Sequence, residues 1–101
     1  MVNDSFARYN LKGAVRASKE IPGPKSVRLL AEQRKYDSNA LVYPNQVSLA
    51  IARGLGATVE DLDGNVYIDF SGGVGALNVG HSNPDVVEAV KRQAEKNSRT
   101  V

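Results

Sequence analysis

Helical spacing of apolar residues predicts a first helix over Lys25–Tyr36. Pro24 suits its first turn, because proline has the backbone angle that a helix start needs and no N–H to leave unpaired. Ser38-Asn39 is expected to end the helix, and Tyr43–Asn45 to be extended or turning. The residues near one face of this helix are Val27, Leu30, Ala31 and Arg34.

Further along the chain the apolar pattern has the period of two that is typical of strands. The β-rich runs Thr58–Leu62 and Val66–Phe70 flank Asp63-Gly64. Asp-Gly between such runs predicts an antiparallel hairpin closed by a type I′ turn. Alternation in the second run puts Val66, Ile68 and Phe70 on one face of the strand. It puts Tyr67 and Asp69 on the other face.

Two glycine clusters interrupt these strands. Gly54–Gly56 follows a brief alternating segment at residues 49–53 and lacks the third glycine and the helix that a dinucleotide-binding loop requires, so a turn is favoured. Ser71–Gly75 directly follows a predicted strand. Glycines there either let the backbone approach a ligand closely or only let the chain turn, and the residues alone leave both interpretations open.

A second helix is predicted over Pro84–Lys96. Ser82 or Asn83 can cap it, Pro84 fits its first position, and Asp85 complements the helix dipole. Its apolar stripe consists of Val86, Val87, Val90 and Ala94.

Composition excludes several classes of function. A chain of 101 residues forms at most one small domain. The absence of cysteine excludes disulfides, thiolate metal sites and cysteine nucleophiles. With 13 basic and 11 acidic residues, a basic nucleic-acid-binding face is not expected. The apolar runs are far shorter than the roughly 20 residues of a membrane span. From the charge balance we expect no nucleic-acid partner, and from the short apolar runs no membrane partner.

Residues 1–24 differ from the rest because they are basic and poor in acidic residues. A loosely held N-terminal arm is the favoured interpretation, with an organellar transit peptide as the alternative. Phe6–Val15 contains no unbroken apolar core of a signal peptide, so a cytoplasmic location is expected. Residues 25–101 are expected to form the second region.

Single polar residues do not assemble into a catalytic set. Asp61, Asp63 and Gly64 resemble the opening of a calcium loop, but the later ligands are missing and the hairpin accounts for them better. His81 is the only histidine, and a turn or packing role is favoured for it. The residues by themselves therefore indicate an α+β segment, with a short antiparallel hairpin flanked by helices, and no metal site.

The segments Gly54–Phe70 and Ser71–Pro84 closely resemble the N-terminal part of class III aminotransferases. The family pattern is a G-x-G-x-x-V-x-D-x-D-G hairpin, a Y-I-D-F strand, a glycine-rich loop, and G-H-x-H-P at the start of a helix. The resemblance extends from about Ile21 to the end of the chain. Asn83 departs from it, because the family usually has histidine there; asparagine still caps a helix well.

The resemblance implies the N-terminal part of the small domain of a fold type I, aspartate-aminotransferase-like enzyme that uses pyridoxal 5'-phosphate. It implies transfer of an amino group from an ω-amino donor, 2,4-diaminobutyrate or 4-aminobutyrate, to 2-oxoglutarate, in a homodimer. It places Val74 and Gly75 closest to substrate, and Tyr43–Val47 near the same site. An amino-acid racemase or epimerase on the same scaffold is the alternative.

No catalytic or cofactor-binding residue is carried over from the family. By the resemblance, the lysine that binds the cofactor, the acidic residue facing its pyridine nitrogen and the phosphate-binding segment lie in the family's large domain, which we do not expect within these 101 residues. The lysines outside any matching context are Lys12, Lys19, Lys25, Lys35, Lys91 and Lys96. We therefore expect the 101 residues alone to be inactive, and a non-catalytic fragment acting by association is a further alternative.

Overall fold

The computed structural model of the chain describes residues 8–13, 15–18, 20–37 and 47–96. These residues form an α+β arrangement, as predicted, with one antiparallel sheet in the strand order β1-β2-β3. The features predicted at Ser38-Asn39 and Tyr43–Asn45 lie outside the described residues. The elements are α1 (Pro24–Gln33), β1 (Ile51–Leu55), β2 (Thr58–Asp61), β3 (Val66–Ile68) and α2 (Pro84–Lys96).

Strand β1 corrects the prediction of a turn at Gly54–Gly56. The strand continues through Gly54, and Leu55 pairs with Thr58, so that only Gly56 and Ala57 remain between β1 and β2. Glycine is needed at position 54 because the ring of His81 packs against it. A Cβ atom there would lie 2.7 Å from His81 Cγ.

The hairpin of β2 and β3 is confirmed, but its predicted turn type is wrong. A type I′ turn needs positive φ at both central residues, and in this turn only Gly64 has it, at +87°. The carboxylate of Asp61 closes the turn instead. It accepts hydrogen bonds from the N–H groups of Asp63 (2.9 Å) and Asn65 (2.8 Å).

Asp61 is the centre of a buried polar cluster, with only 1% of its surface exposed. Its Oδ2 atom also accepts hydrogen bonds from Asn65 Nδ2 (2.8 Å) and the Tyr67 hydroxyl (2.9 Å). Burial raises the pKa of Asp61, but these hydrogen bonds outweigh it and hold the pKa below its usual value. Burial, together with the bond to Asp61, raises the pKa of Tyr67 to about 12.

The same turn caps helix α1. Asp63 Oδ1 accepts the N–H of Lys25 (2.8 Å), and its Oδ2 accepts the N–H (2.9 Å) and hydroxyl (2.8 Å) of Ser26. Gly23, at the N-cap position, makes no side-chain hydrogen bond to the helix. A residue distant in sequence therefore satisfies the free N–H groups at the start of this helix.

Helix α1 is shorter than predicted and turns a different face inward. It ends at Gln33, whereas the pattern predicted Tyr36. Its buried residues are Ser26 and Leu30. Because Asp63 holds Ser26 against the hairpin turn, the predicted face is correct only at Leu30. Its remaining members, all exposed, are Val27, Ala31 and Arg34.

The described part of the N-terminal arm makes hydrogen bonds to the hairpin at Arg16 and Ser18. Arg16 N–H donates to Val66 O (3.0 Å), and Val66 N–H donates to Arg16 O (2.5 Å). Ser18 N–H donates to Asn65 Oδ1 (2.6 Å). The arm thus covers part of the free edge of β3.

The face predicted from alternation in β3 is buried only at its first residue. Val66 is fully buried, but Ile68 is exposed and Phe70, beyond the end of the strand, is 93% exposed. The apolar core of the described residues is small and is completed by Leu30, Ala50 and Val59. The apolar side chains that follow Val66 on this face, Ile68 and Phe70, are therefore exposed to solvent.

Helix α2 has the predicted bounds and the predicted cap. Asn83 Oδ1 accepts the N–H groups of Asp85 (3.0 Å) and Val86 (3.3 Å). None of its residues is buried. Neither helix in the described residues has the length and apolar character that crossing a membrane requires.

Candidate active-site loop

The glycine-rich loop after β3 contains a run of left-handed backbone. Gly72, Gly73, Val74 and Gly75 have φ angles from +55° to +84°. Glycine adopts this conformation freely, but a β-branched residue does so rarely. We call residues 72–75 the left-handed turn. The predicted site residues Val74 and Gly75 both lie in it, and the Val74 side chain is 97% exposed.

Asp69 organises the beginning of this loop. Its Oδ1 atom accepts three hydrogen bonds, from Ser71 N–H (2.9 Å), Ser71 Oγ (2.8 Å) and Gly72 N–H (3.0 Å). Its Oδ2 atom lies 2.7 Å from Nε2 of His81. The contacts from His81 and Ser71 hold the pKa of Asp69 at about 2. Because the ionised carboxylate can only accept, His81 Nε2 carries the shared proton.

His81 joins the loop to the sheet. Its backbone N–H and C=O pair with the C=O and N–H of Gly56, both at 2.8 Å. Its ring packs against Gly54 and bonds to Asp69. The packing role favoured from sequence is therefore supported. The link to Asp69 was missed; the only available signal was a polar residue at the end of a strand that leads into glycines.

A groove of about 450 Å³ lies beside the loop. Apolar side chains including Leu49, Ile51 and Val59 line it, together with Asp69 and His81. The described residues that line it include no lysine and no arginine. A phosphate ester placed here would meet a carboxylate without a cation to pair with, so these residues do not by themselves fit pyridoxal phosphate.

The hairpin aspartates had suggested a possible metal site. In the part of the chain that the structure describes, no group of three or more histidine, aspartate or glutamate side chains is placed to hold a metal ion. Asp61 and Asp63, which resembled a calcium loop, direct their oxygens to protein donors.

Comparison with known proteins identifies the family pattern. The sequence profile described as Aminotransferase class-III matches residues 41–101, more than half of the chain. A probable 4-aminobutyrate aminotransferase of Bacillus subtilis (strain 168) is 65% identical over 49 residues, 48% of this chain and 11% of that protein. A [LysW]-aminoadipate semialdehyde transaminase of Deinococcus radiodurans is 51% identical over 67 residues, 66% of this chain and 15% of that protein.

Two further relatives cover more of the chain. An alanine/serine racemase of Pyrococcus horikoshii is 39% identical over 77 residues, 73% of this chain and 15% of that protein. The crystal structure of ornithine aminotransferase from Toxoplasma gondii ME49 superimposes with a TM-score of 0.62 and 38% identity, over 69% of this chain and 16% of that one. The chain therefore spans 11 to 16% of the length of these four relatives.

Proposed function

The chain belongs to the class III aminotransferases, and from that premise we propose that it forms the substrate-side wall of a pyridoxal-phosphate-dependent transaminase. The proposed reaction transfers an amino group from an ω-amino donor, 4-aminobutyrate or 2,4-diaminobutyrate, to 2-oxoglutarate. A relative named as a probable 4-aminobutyrate aminotransferase, 65% identical over 49 residues, supports this choice of donor. A homodimer in the cytoplasm is part of the same proposal.

The observation that carries the proposal is the left-handed turn. It presents Val74 and Gly75 to solvent at the end of a strand. An added Cβ at Gly75 would find no atom within 4 Å, so space beside Val74 is open for a flexible ligand chain. Val74 offers that ligand an apolar contact without a side-chain hydrogen bond.

The cofactor belongs to this proposal through the family. Pyridoxal phosphate, when bound, supplies the electron sink for chemistry at the amino-bearing carbon. The groove residues do not provide a cation for its phosphate, so the cofactor would be held by other parts of the enzyme. We accordingly propose that the 101 residues alone do not catalyse the reaction.

A racemase is the second candidate function. The racemase of Pyrococcus horikoshii matches 77 residues of the chain, and an isoleucine 2-epimerase of Lentilactobacillus buchneri is 40% identical over 72 residues. Both matches are longer than that to the probable 4-aminobutyrate aminotransferase.

A single assay separates these proposals. The protein purified from its source is incubated with pyridoxal phosphate, 2-oxoglutarate and each ω-amino donor, and glutamate is measured. We expect glutamate that requires both the donor and 2-oxoglutarate. Inversion of L-alanine or L-isoleucine without 2-oxoglutarate, and no glutamate, would instead support the racemase. Neither activity would overturn both and favour a non-catalytic role by association.

A matched pair of glycine substitutions tests the substrate-side wall formed by Val74 and Gly75. Gly75 and Gly64 have similar φ angles, +84° and +87°, and open space where a Cβ would lie. Both Gly75→Ala and Gly64→Ala therefore impose similar backbone strain. In the enzyme as its source organism makes it, we expect only Gly75→Ala to raise the KM for the amino donor, by about tenfold, since a methyl group in a binding pocket has effects of that size. Equal KM values for the two variants would contradict the placement of Gly75.

A further inference from the structure

We infer that Asp69 and His81 form a positioning pair, which holds the left-handed turn and thereby fixes the orientation of Val74 and Gly75. The inference rests on the proposed function only in treating those two residues as a substrate wall. The pair touches neither substrate nor cofactor in this role. It acts by fixing the backbone that carries the wall.

The left-handed turn needs an external restraint. A valine is unfavourable in this conformation, and Val74 is almost fully exposed, so no packing compensates for it. Three backbone hydrogen bonds close the turn, from Val74 N–H to Ser71 O (3.0 Å), from Ala76 N–H to Gly73 O (3.3 Å) and from Leu77 N–H to Gly72 O (2.9 Å). Two of the three acceptor residues, Ser71 and Gly72, have their own N–H groups held by Asp69.

The restraint at the start of the turn is the carboxylate of Asp69. One oxygen gathers the two N–H groups and the Ser71 hydroxyl, which fixes the direction in which the chain leaves β3. Charged acceptors make the stronger kind of hydrogen bond in proteins. The Asp69 side chain is only 15% exposed, although its hydrogen bonds from Ser71 lie at the surface.

His81 also fixes the orientation of the Asp69 carboxylate. The ring bonds to the other oxygen of Asp69, packs against Gly54 and is anchored by two backbone hydrogen bonds to Gly56. The turn between β1 and β2 is thus connected through His81 and Asp69 to the left-handed turn. A histidine that only filled space would not need its ring nitrogen at hydrogen-bond distance from the carboxylate.

The test uses the ¹⁵N-labelled 101-residue chain and measures amide shifts and hydrogen exchange. Asp69→Ala removes every acceptor, and we expect the Ser71 and Gly72 amides to exchange about tenfold faster, as loss of a typical net hydrogen bond predicts. The amide resonances of residues 72–75 shift as well. Asp69→Asn keeps an acceptor oxygen and restores most of the protection. Asp37→Ala, an exposed aspartate after α1, is the matched control and leaves both amides unchanged.

Variants of His81 supply an independent comparison if Asp69→Ala fails to fold. His81→Phe keeps a ring against Gly54 but has no nitrogen, whereas His81→Gln can still donate. We expect His81→Phe to shift the Ser71 and Gly72 amides and His81→Gln to restore them, with Val59 in β2 unaffected.

Unchanged loop amides in Asp69→Ala or His81→Phe would overturn the inference, as would fast exchange of Ser71 and Gly72 in the unsubstituted chain. Failure of the conservative variants to restore them would do the same. No substrate or cofactor enters these measurements. A failed transaminase assay and a failed positioning pair are therefore separate results.

Discussion

In both the hairpin turn and the glycine-rich loop an aspartate side chain accepts backbone N–H groups, but the two turns differ in burial. In each, an aspartate accepts the N–H two residues ahead and another soon after: Asp61 from Asp63 and Asn65, and Asp69 from Ser71 and Gly72. The hairpin turn is partly buried: Asp61 and Asn65 are buried, and the arm and α1 both bond to the turn. The loop is held at its start, where Asp69 bonds to His81 and donates its backbone N–H to Ala57 O (2.8 Å).

The difference lies in what covers each turn. Around Asp61 the donors are buried or partly buried, so their hydrogen bonds stabilise the fold and fix neighbouring elements. Around Asp69 the same chemistry leads into an exposed, left-handed turn that carries an unfavourable valine. Strain of this kind persists where a function needs it and the surroundings enforce it. The Asp61 carboxylate therefore stabilises the hairpin and its neighbours, whereas the Asp69 carboxylate holds a loop whose residues are exposed to solvent.

Removing the buried carboxylate is expected to have the largest effect. Asp61→Ala leaves the Asn65 amides and the Tyr67 hydroxyl without their acceptor, and unsatisfied buried donors cost about 1–3 kcal/mol each. We expect the free energy of unfolding to fall by about 3 kcal/mol in urea titration. Asp37→Ala, the exposed control, should change it by less than about 0.5 kcal/mol. A loss below about 1 kcal/mol in Asp61→Ala would mean that the cluster is not a stabilising centre.

The pH dependence of unfolding sharpens the comparison. Asp61, Asp63 and Asp69 all have lowered pKa values in the folded chain, that of Asp69 being about 2. The unfolded chain therefore takes up protons first, and stability present above about pH 4 is lost as the pH falls towards 2. Tyr67 behaves oppositely. Its pKa is raised from 10.0 to about 12, so stability present below pH 10 is lost as the pH rises towards 12.

The variant Tyr67→Phe separates the loss of stability at alkaline pH that is due to Tyr67 from losses that are due to other groups. The variant has no phenol to ionise, so its stability should fall less between pH 10 and pH 12, by a difference on the order of 1 kcal/mol. The acid loss stays, because the carboxylates remain. Parallel alkaline curves for the two proteins would show that the Asp61–Tyr67 bond does not couple to folding. Chemical unfolding followed by circular dichroism at fixed pH values measures both.

The smallest expected effect concerns the strained valine. Val74→Gly relieves an unfavourable left-handed residue, which costs roughly 1–2 kcal/mol, but adds about 1 kcal/mol of unfolded-state entropy. We expect a gain of about 0.5 kcal/mol in the free energy of unfolding. Val79 is also an exposed valine but has no positive φ, and Val79→Gly should lose about 0.5–1 kcal/mol. Equal losses in the two variants would exclude stored strain at Val74.

Elements defined by neighbouring residues were predictable from the sequence. The cap Asn83, the following proline and the apolar spacing of α2 lie within one short segment, and its bounds agree with the prediction. The β2–β3 pairing was predictable for the same reason. Family membership followed from the order and spacing of the strand, glycine loop and helix start, which the profile match over 41–101 confirms.

Contacts between segments distant in sequence were decided by the tertiary structure. Asp63 was predicted as a turn residue, yet it caps a helix 37 residues earlier, which changes the buried face of α1. Gly54 was predicted in a turn but lies in a strand, where it pairs with Val59 and leaves room for the ring of His81. The link from Asp69 to His81 spans 12 residues.

The physical reason is the range of the interactions involved. Capping, strand alternation and helical spacing depend on residues one to four positions apart, so the sequence by itself determined α2, the hairpin and the family pattern. Which carboxylate meets which amide across the molecule depends on how the segments pack, and a single aspartate can close its own turn or cap another element. Packing therefore decided that Asp61 and Asp63 hold the fold together, and that Asp69 holds the loop that bears Val74 and Gly75.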